Sequence, residues 1–229
     1  MEEDPLTKLT NYMLRTFYYF LVIFLFISNI TLAEKINVFE FTENELSKLK
    51  IKKVRGADAK TEYTLGNNEN GKYIRANANN SASGLGKEIK INLNKTPFLN
   101  ITWKVEKDLR GIDEKSKKGH DYAARVFVVK KTGATPLSNR AMNYVFSSNN
   151  EVNTHHHSPF TKKSIDYVLS TTKEFLNEWV TVKVNVKEHF KKFHNLDLEE
   201  INGVAIMADT DNSKLNSVSY YQNIYFSSN

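Results

Sequence analysis

Apolar and polar residues alternate with a period of two through most of this sequence. In "WVTVKVNV", residues 179–186, the four valines share one parity, and threonine, lysine and asparagine take the other. Successive side chains of a strand point to opposite faces, so this pattern predicts a strand with one buried and one solvated face. A chain dominated by such segments is expected to fold as a sheet protein.

Segments of this kind follow one another from residue 36 to the C-terminus, separated by turns rich in Asn, Gly, Ser and Lys. The predicted strands are 36–41, 62–65, 72–78, 87–93, 98–106, 122–129, 142–146, 165–170, 179–186, 203–208 and 218–226. Only 43–50 and 186–193 have a helical pattern, and both are short. We therefore predict an all-β fold, an antiparallel two-sheet jelly-roll-like sandwich with one or two short helices.

An apolar run precedes the predicted sandwich. Residues 17–27 carry no charge, Arg15 stands before them, and small residues lead to Ala33. This pattern predicts a hydrophobic leader helix in residues 1–33, either a cleaved signal peptide or an N-terminal membrane anchor. Met13 is an alternative start, because it opens a well-formed leader. Both readings place residues 34–229, a single sandwich domain, outside the cytoplasm, in the periplasm or cell envelope.

Composition narrows the classes of function. The chain has no cysteine, which excludes disulfides, thiolate metal sites and cysteine nucleophiles. Residues 34–229 keep 30 of the 32 basic and 23 of the 26 acidic side chains, a net charge of +7. That charge favours an anionic partner, although scattered lysines also serve solubility. We expect a polysaccharide ligand, no nucleic acid, and membrane contact only through an uncleaved leader.

Seven segments between Ser81 and the C-terminus form a further pattern. They are "SASGL" (81–85), "PFLNITWKV" (97–105), "HDYAARVFVV" (120–129), "MNYVFSS" (142–148), "SPFT" (158–161), "WVTVKVNVKEHFKKF" (179–193) and "GVAIMADTDNS" (203–213). In order and spacing they resemble the bacterial family known as domain of unknown function 3047. The resemblance implies an exported β-sandwich and carries no established activity or catalytic residue.

Asp209, Asp211 and Asn212 follow directly after a predicted buried strand. Several oxygen ligands from one turn suit calcium, although the spacing does not match an EF-hand, since Lys214 and Tyr220 replace its glycine and glutamate. Aspartate and asparagine also form turns by accepting hydrogen bonds from nearby backbone amides. Both readings stay open, with calcium at Asp209 and Asp211 as the one possible cofactor.

Asp121 and Arg125 stand four residues apart at the start of the predicted strand 122–129 and share the parity of Phe127. A charged pair on an otherwise apolar surface predicts either a partly buried ion pair or the floor of a polar site. Residues 155–157 are three consecutive histidines, which point in alternating directions in an extended chain and therefore disfavour a shared metal ion.

Aromatic side chains on strands offer flat surfaces on which sugar rings can stack. Trp103 shares the parity of Leu99 and Ile101, which predicts core packing. Trp179 shares the parity of Thr181, which predicts an exposed ring, and Tyr144 is a further candidate.

We predict a non-catalytic module that binds carbohydrate in the cell envelope. Its predicted ligand-binding residues are Asp121, Arg125, Tyr144, Trp179, Asp209, Asp211 and Asn212. One alternative is an enzyme on an acidic polysaccharide, either a hydrolase using paired carboxylates or a lyase with Tyr144 as base and Arg125 or a histidine neutralising the uronate. Another is an envelope protein-interaction domain.

Overall fold

Two β-sheets pack face to face in residues 34–229, which form one compact unit. The computed structural model describes Asp4, Thr10, Met13 and residues 33–229. The rest of the predicted leader lies outside the described residues, so its cleavage or anchoring stays a prediction. Among the described residues, no helix is both long enough and apolar enough to cross a membrane.

Thirteen strands occur in residues 33–229. They are β1 (Lys35–Asn37), β2 (Lys50–Lys53), β3 (Glu62–Asn68), β4 (Gly71–Asn79), β5 (Ala82–Asn92), β6 (Phe98–Lys107), β7 (Ala124–Lys130), β8 (Arg140–Ser147), β9 (His155–Ser158), β10 (Thr161–Thr171), β11 (Val180–Asn185), β12 (Glu200–Asp209) and β13 (Asn216–Ser227). The helices are α1 (Glu43–Leu46), α2 (Thr172–Phe175) and α3 (Val186–His194), with a 3-10 turn at Pro136–Ser138.

Sheet A has the strand order β11-β6-β13-β4-β3, and β1 also pairs with β13. Sheet B has the order β2-β5-β12-β7-β8-β10-β9. This arrangement confirms the predicted all-β sandwich of jelly-roll type. The prediction of purely antiparallel sheets needs one correction, because β8 and β10 run parallel. The chain leaves β8, forms β9 on the far side of β10, and returns through a hairpin, so β10 takes the direction of β8.

The predicted alternation positions the core. Along β11, Val180, Val182 and Val184 face inward while Thr181 and Lys183 are exposed, as the sequence predicts. Trp103 is fully buried, which confirms its core role. Its indole Nε1 donates to Ser170 Oγ at 3.0 Å, so it crosses from β6 of sheet A to β10 of sheet B.

Helix α3 begins where the alternating pattern of β11 ends. The Asn185 side chain accepts a hydrogen bond from the backbone N–H of Glu188, and this cap starts a helix at Val186 instead of continuing the strand. Asn195 ends the helix in the left-handed conformation, with φ of 54°. The sequence predicted one or two helices, and the third, α2, was missed because its four residues are too few to show a helical period.

A tyrosine hydroxyl also joins the two sheets. Tyr221 on β13 donates to the backbone carbonyl of Met207 on β12 at 2.6 Å, and it accepts from the backbone N–H of Arg125 on β7 at 3.0 Å. The ring is fully buried. The hydroxyl therefore satisfies two backbone groups at the sheet interface.

Replacing Tyr221 by Phe is expected to lower the free energy of unfolding by about 1–3 kcal/mol, because it strands a buried N–H and a buried carbonyl. Chemical denaturation measures the change. Tyr225→Phe on the same strand is the matched control, since within residues 33–229 no hydrogen bond uses that hydroxyl, and it should change stability by less than ~0.5 kcal/mol. Equal effects of the two substitutions would contradict the assignment.

His189 on α3 packs among aromatic rings. Its ring centroid lies 5.8 Å from that of Tyr144, 4.4 Å from that of Tyr167 and 5.3 Å from that of Phe193. Burial lowers the pKa of His189 to about 4, and the charge of Lys192 adds to this lowering. The ring nitrogen Nδ1 is buried without a hydrogen-bond partner among the described residues. The folded protein therefore resists protonation at this ring.

Stability is expected to fall between pH 6.5 and about 4. In this window the unfolded chain takes up a proton at His189 and the folded chain does not, so the free energy of unfolding decreases as the pH falls and is fully retained above the unfolded pKa. His189→Phe should reduce this loss by roughly 1 kcal/mol. Thermal unfolding across pH measures it, with His157→Phe on exposed β9 as the control. An unchanged profile in His189→Phe would contradict the prediction.

Candidate functional site

A cavity of about 480 Å³ opens on the outer face of sheet B. Because Ala124, Val126 and Val128 of β7 fill the space between the sheets, their neighbours on the strand point outward. The floor comes from four adjacent strands and consists of Arg125, Phe127, Asn143, Asp166, Met207 and Asp209. Loops supply the rim, which includes Arg55, His120, Phe160, Asp211 and Asn212. A cavity of this size is typical of small-ligand sites.

Arg125 and Asp209 form a bidentate ion pair on this floor. Arg125 Nε donates to Asp209 Oδ1 at 2.9 Å, and Nη2 donates to Oδ2 of the same carboxylate and to the backbone carbonyl of His120 at 3.2 Å. The backbone N–H of Tyr122 adds a bond to Oδ1 at 3.1 Å. Only 3% of the arginine and 5% of the aspartate side chain are exposed, so each charge depends on the other.

The pKa values reflect this mutual dependence. Burial lowers the pKa of Arg125, but the attraction of Asp209 outweighs burial and the net shift is upward, which keeps the guanidinium charged. Burial raises the pKa of Asp209 to about 7, against the opposing effect of Arg125. The bidentate contact has the geometry of an ionised carboxylate facing a charged guanidinium.

Asp121 shapes the turn that follows β12. Its Oδ1 accepts from the backbone N–H of Asn212 at 3.2 Å and from Asn212 Nδ2 at 2.8 Å, and its Oδ2 accepts from the backbone N–H of Ser213 at 2.6 Å. The turn is therefore held mainly by Asp121, from a distant part of the chain, and Asp211 adds one long hydrogen bond from Asn212 Nδ2 at 3.5 Å. We predicted that Asp121 and Arg125 would lie on the same face of one strand. Strand β7 begins only at residue 124, so its alternation of faces does not extend back to Asp121.

The possible calcium site rests on the same carboxylates. Asp121, Asp209 and Asp211 each bring one oxygen within 4.8 Å of the others. Asp121 is engaged by the turn and Asp209 by Arg125, so a cation at this cluster would compete with those donors. Calcium binding stays a prediction. The three consecutive histidines belong to none of the possible metal-ligand groups found among the described residues.

A second polar network lies on β8 and β10. Asp166 accepts from His120 Nε2 at 2.7 Å through one oxygen and from Asn143 Nδ2 through the other. Burial raises the pKa of Asp166, but its hydrogen bonds and the neighbouring charges outweigh burial and hold the pKa below the usual value. Burial lowers the pKa of His120, and Asp166 only partly offsets this. A neutral His120 thus donates to an ionised Asp166.

Asn143 leaves one acceptor unused. It is 1% exposed, and its Oδ1 is buried without a hydrogen-bond partner among the described residues. The orientation of the amide is determined by chemistry, because an ionised carboxylate accepts only, and Nδ2 must therefore face Asp166. The Oδ1 belongs to a side chain that lines the cavity but is itself closed to solvent, so a ligand that donates an O–H or N–H satisfies it only when the side chains around the amide move apart.

Four predicted ligand-binding residues meet at this cavity, namely Arg125, Asp209, Asp211 and Asn212. Asp121 lies behind them and holds the turn. Tyr144 cannot contact a ligand there, because it is fully buried on the opposite face of β8, where alternation places it once Asn143 faces the cavity. Trp179 is half-buried, where the sequence predicted an exposed ring, and it does not reach the cavity because it precedes β11, a strand of sheet A and not of sheet B.

Several cavity residues were missed by sequence reasoning. His120, Asn143, Asp166, Phe127, Phe160 and Met207 all line the cavity. Asn143 and Asp166 each interrupt a predicted apolar strand, which is a detectable signal. Their meeting depends on the parallel pairing of β8 with β10, which sets Asp166 directly opposite Asn143 and has no sequence signature.

Comparison with known families identifies the chain. The model of the family described as "Protein of unknown function (DUF3047)" matches residues 47–225. The chain belongs to this family. The match confirms the resemblance seen in the sequence and extends it to the strands that precede Ser81. No curated protein matches the DUF3047 chain.

Solved structures similar to this chain include the family 30 carbohydrate-binding module of a cellulosomal cellulase from Clostridium thermocellum. The two sequences are 7% identical, the alignment covers 84% of this chain and 96% of that chain, and the TM-score is 0.47. The xyloglucanase domain of NopAA from Sinorhizobium fredii, in complex with cellobiose, has 10% identity, 76% and 91% coverage, and a TM-score of 0.42. A family 12 xyloglucanase from Bacillus licheniformis has 7% identity, 86% and 98% coverage, and a TM-score of 0.45.

Asp209→Asn is expected to destabilise the protein by about 3–5 kcal/mol at pH 8, because it leaves the buried guanidinium of Arg125 without its counter-charge. Denaturant unfolding measures this loss. Asp211→Asn two residues away is the matched control and should cost less than ~1 kcal/mol, since its side chain is partly exposed. A small effect of both substitutions would show that the ion pair does not hold this floor together.

Proposed function

We propose that this protein is a non-catalytic module that binds carbohydrate in the cavity of sheet B. The observation that carries the proposal is the unpartnered Oδ1 of Asn143, a buried acceptor belonging to a residue of the cavity floor. A buried acceptor without a donor is costly, and a hydroxyl-bearing ligand removes that cost. Sugars present many such hydroxyls.

The remaining lining suits a sugar ring. Phe127, Met207 and Phe160 contribute apolar surface to the same cavity, and 56% of the Phe160 side chain is exposed. Arg125 uses Nε and Nη2 in its bonds to protein acceptors, and within residues 33–229 no hydrogen bond occupies Nη1. A pyranose ring presents hydroxyl groups around its edge and C–H groups on its faces. The donor at Arg125 Nη1 and the acceptor at Asn143 Oδ1 match the hydroxyl groups, and the apolar side chains match the C–H faces.

The carboxylates of the cavity favour binding over catalysis. Glycoside hydrolysis requires one carboxyl group that gives a proton and a second that attacks or activates water. Asp209 is held at both oxygens by Arg125, and Asp166 is held by His120 and Asn143. Among the lining residues this leaves Asp211, held only by Asn212 at 3.5 Å, without a second free carboxylate to work with. Elimination by Tyr144 is also disfavoured, because that ring is buried away from the cavity. The role as a binding module therefore requires none of these carboxylates to leave its partners.

Export forms part of the same proposal. The leader pattern of residues 1–33 would place the sandwich in the periplasm or cell envelope, where polysaccharides are accessible. Blocking export in the source cell and locating the chain by fractionation tests this part without reference to binding. Retention of the full chain in the cytoplasm of untreated cells would contradict it.

Binding is tested with the full chain and a panel of neutral and acidic oligosaccharides and polysaccharides. Asn143→Leu should weaken binding about tenfold or more because it removes the acceptor, and thermal unfolding of the variant shows whether the fold tolerates the simultaneous loss of the bond from Nδ2 to Asp166. Phe160→Ala should also weaken binding and leave stability nearly unchanged, because the ring is largely exposed. Leu137→Ala removes another exposed apolar side chain, which does not line the cavity, and is the matched control.

Calorimetry measures affinity, and chromatography of each polymer shows whether its length changes. Binding without shortening supports the proposal. Shortening of any polymer would make the protein an enzyme and overturn the non-catalytic role. Parent-like affinity in both Asn143→Leu and Phe160→Ala would remove the cavity as the binding site.

A further inference from the structure

Three aromatic rings meet on the outer face of sheet A, on the side of the sandwich opposite to the cavity. They are Tyr73 on β4, Trp179 immediately before β11, and Tyr220 on β13, and together we name them the aromatic platform. The ring centroids lie 6.0 Å apart for Tyr73 and Trp179, 5.5 Å for Tyr73 and Tyr220, and 5.9 Å for Trp179 and Tyr220. Each of the three residues is half-buried.

The backbone of β3 makes room for the platform. Tyr73 pairs with Gly66, and a Cβ at Gly66 would lie 2.5 Å from the tyrosine ring. The ring therefore lies over the strand where a side chain would otherwise stand. One side of the Tyr73 ring is therefore covered by the backbone at Gly66. The platform lies on the surface of the sheet that faces away from the core.

Two cations flank the platform in one row across the sheet. Tyr220 lies directly opposite Lys104 on β6 and Arg75 on β4. Lys104 Nζ lies 4.9 Å from the centroid of the Tyr220 ring. Within residues 33–229 neither Lys104 nor Arg75 forms an ion pair. The surface thus combines ring faces with two positive charges that form no direct ion pair, although Arg75 is hydrogen-bonded to Tyr220.

The acidic groups of this face are already engaged. Glu106 accepts from the Tyr220 hydroxyl at 2.6 Å, and Glu62 accepts from Asn77 Nδ2 at 3.3 Å. Both keep their negative charge on the surface. The hydroxyl groups of a polyuronate can donate to these glutamates while its carboxylates pair with Lys104 or Arg75, whereas the backbone of single-stranded DNA offers no hydroxyl donors to them. Charge complementarity therefore favours a polyuronate over a nucleic acid.

We propose that the aromatic platform, with Lys104 and Arg75, is a second binding surface that docks an acidic polysaccharide whose sugar rings carry carboxylates. The inference rests on the proposed function for the general class of ligand and adds the acidic character of the polymer. Sugar rings stack on Trp179 and Tyr220, and the two cations pair with the uronate groups. A polymer long enough to pass from one face to the other can engage both surfaces.

The test uses the full chain and three probes: polygalacturonate, carboxyl-reduced polygalacturonate, and single-stranded DNA. Trp179→Ala should weaken binding of both sugar polymers about tenfold, since it removes a stacking surface. The double variant Lys104→Gln and Arg75→Gln should weaken only the acidic polymer, with a smaller effect at high salt. The control is Lys118→Gln with Lys191→Gln, which removes two exposed charges elsewhere. Thermal unfolding of each variant shows whether the fold is intact.

Two further measurements distinguish binding at the platform from binding at the cavity. They are the affinity of Asn143→Leu for each probe and the affinity of every variant for short galacturonate oligosaccharides. If the platform variants lose the polymer while retaining the affinity of the parent for the short ligand, the second surface is supported. If they bind the polymer like the parent while Asn143→Leu loses it, the platform is overturned and the proposed cavity function stands. Loss in the platform variants alone, with Asn143→Leu unaffected for every ligand, overturns the cavity and supports the platform. Tighter, platform-dependent binding of DNA, or no binding of any sugar polymer, overturns this proposal.

Discussion

A guanidinium and a carboxylate, both buried, hold the candidate site together. Arg125 stands at the start of β7 and Asp209 at the end of β12, and their bidentate contact brings the two strand ends together. The same pair binds the backbone of residues 120 and 122, which fixes the segment that carries His120. Because neither charge can be buried alone, each side of this contact depends on the other for its place in the floor of the cavity.

Both proposed surfaces follow from the two-sided nature of a sheet. Inward side chains of both sheets merge into one core, which leaves each outer face free for another role. The outer face of sheet B is covered in part by loops and becomes a cavity with buried polar groups. The outer face of sheet A stays open, and there Gly66 gives space to the Tyr73 ring. One sandwich can therefore offer an enclosed and an open surface to the same class of polymer.

Sequence reasoning succeeded where the signal is local. The strand at β11 and the buried Trp103 both follow from the alternation of faces within a single segment. Sequence reasoning failed where it had to locate the start of a strand. It placed Asp121 within the strand that carries Arg125, but the Asp121 side chain holds the turn after β12. Moving the start of β7 by a few residues changes which face each side chain occupies.

The sequence by itself determined the all-β sandwich and the face of most strand residues, because these depend on short-range alternation that any strand imposes on its side chains. It also determined the family, through the order and spacing of whole segments. Only the tertiary structure decided which partners meet. The parallel pairing of β8 with β10 brings Asn143 to Asp166, and the approach of β7 to β12 brings Arg125 to Asp209. Such long-range pairings depend on the packing of the whole chain, and no segment carries them alone.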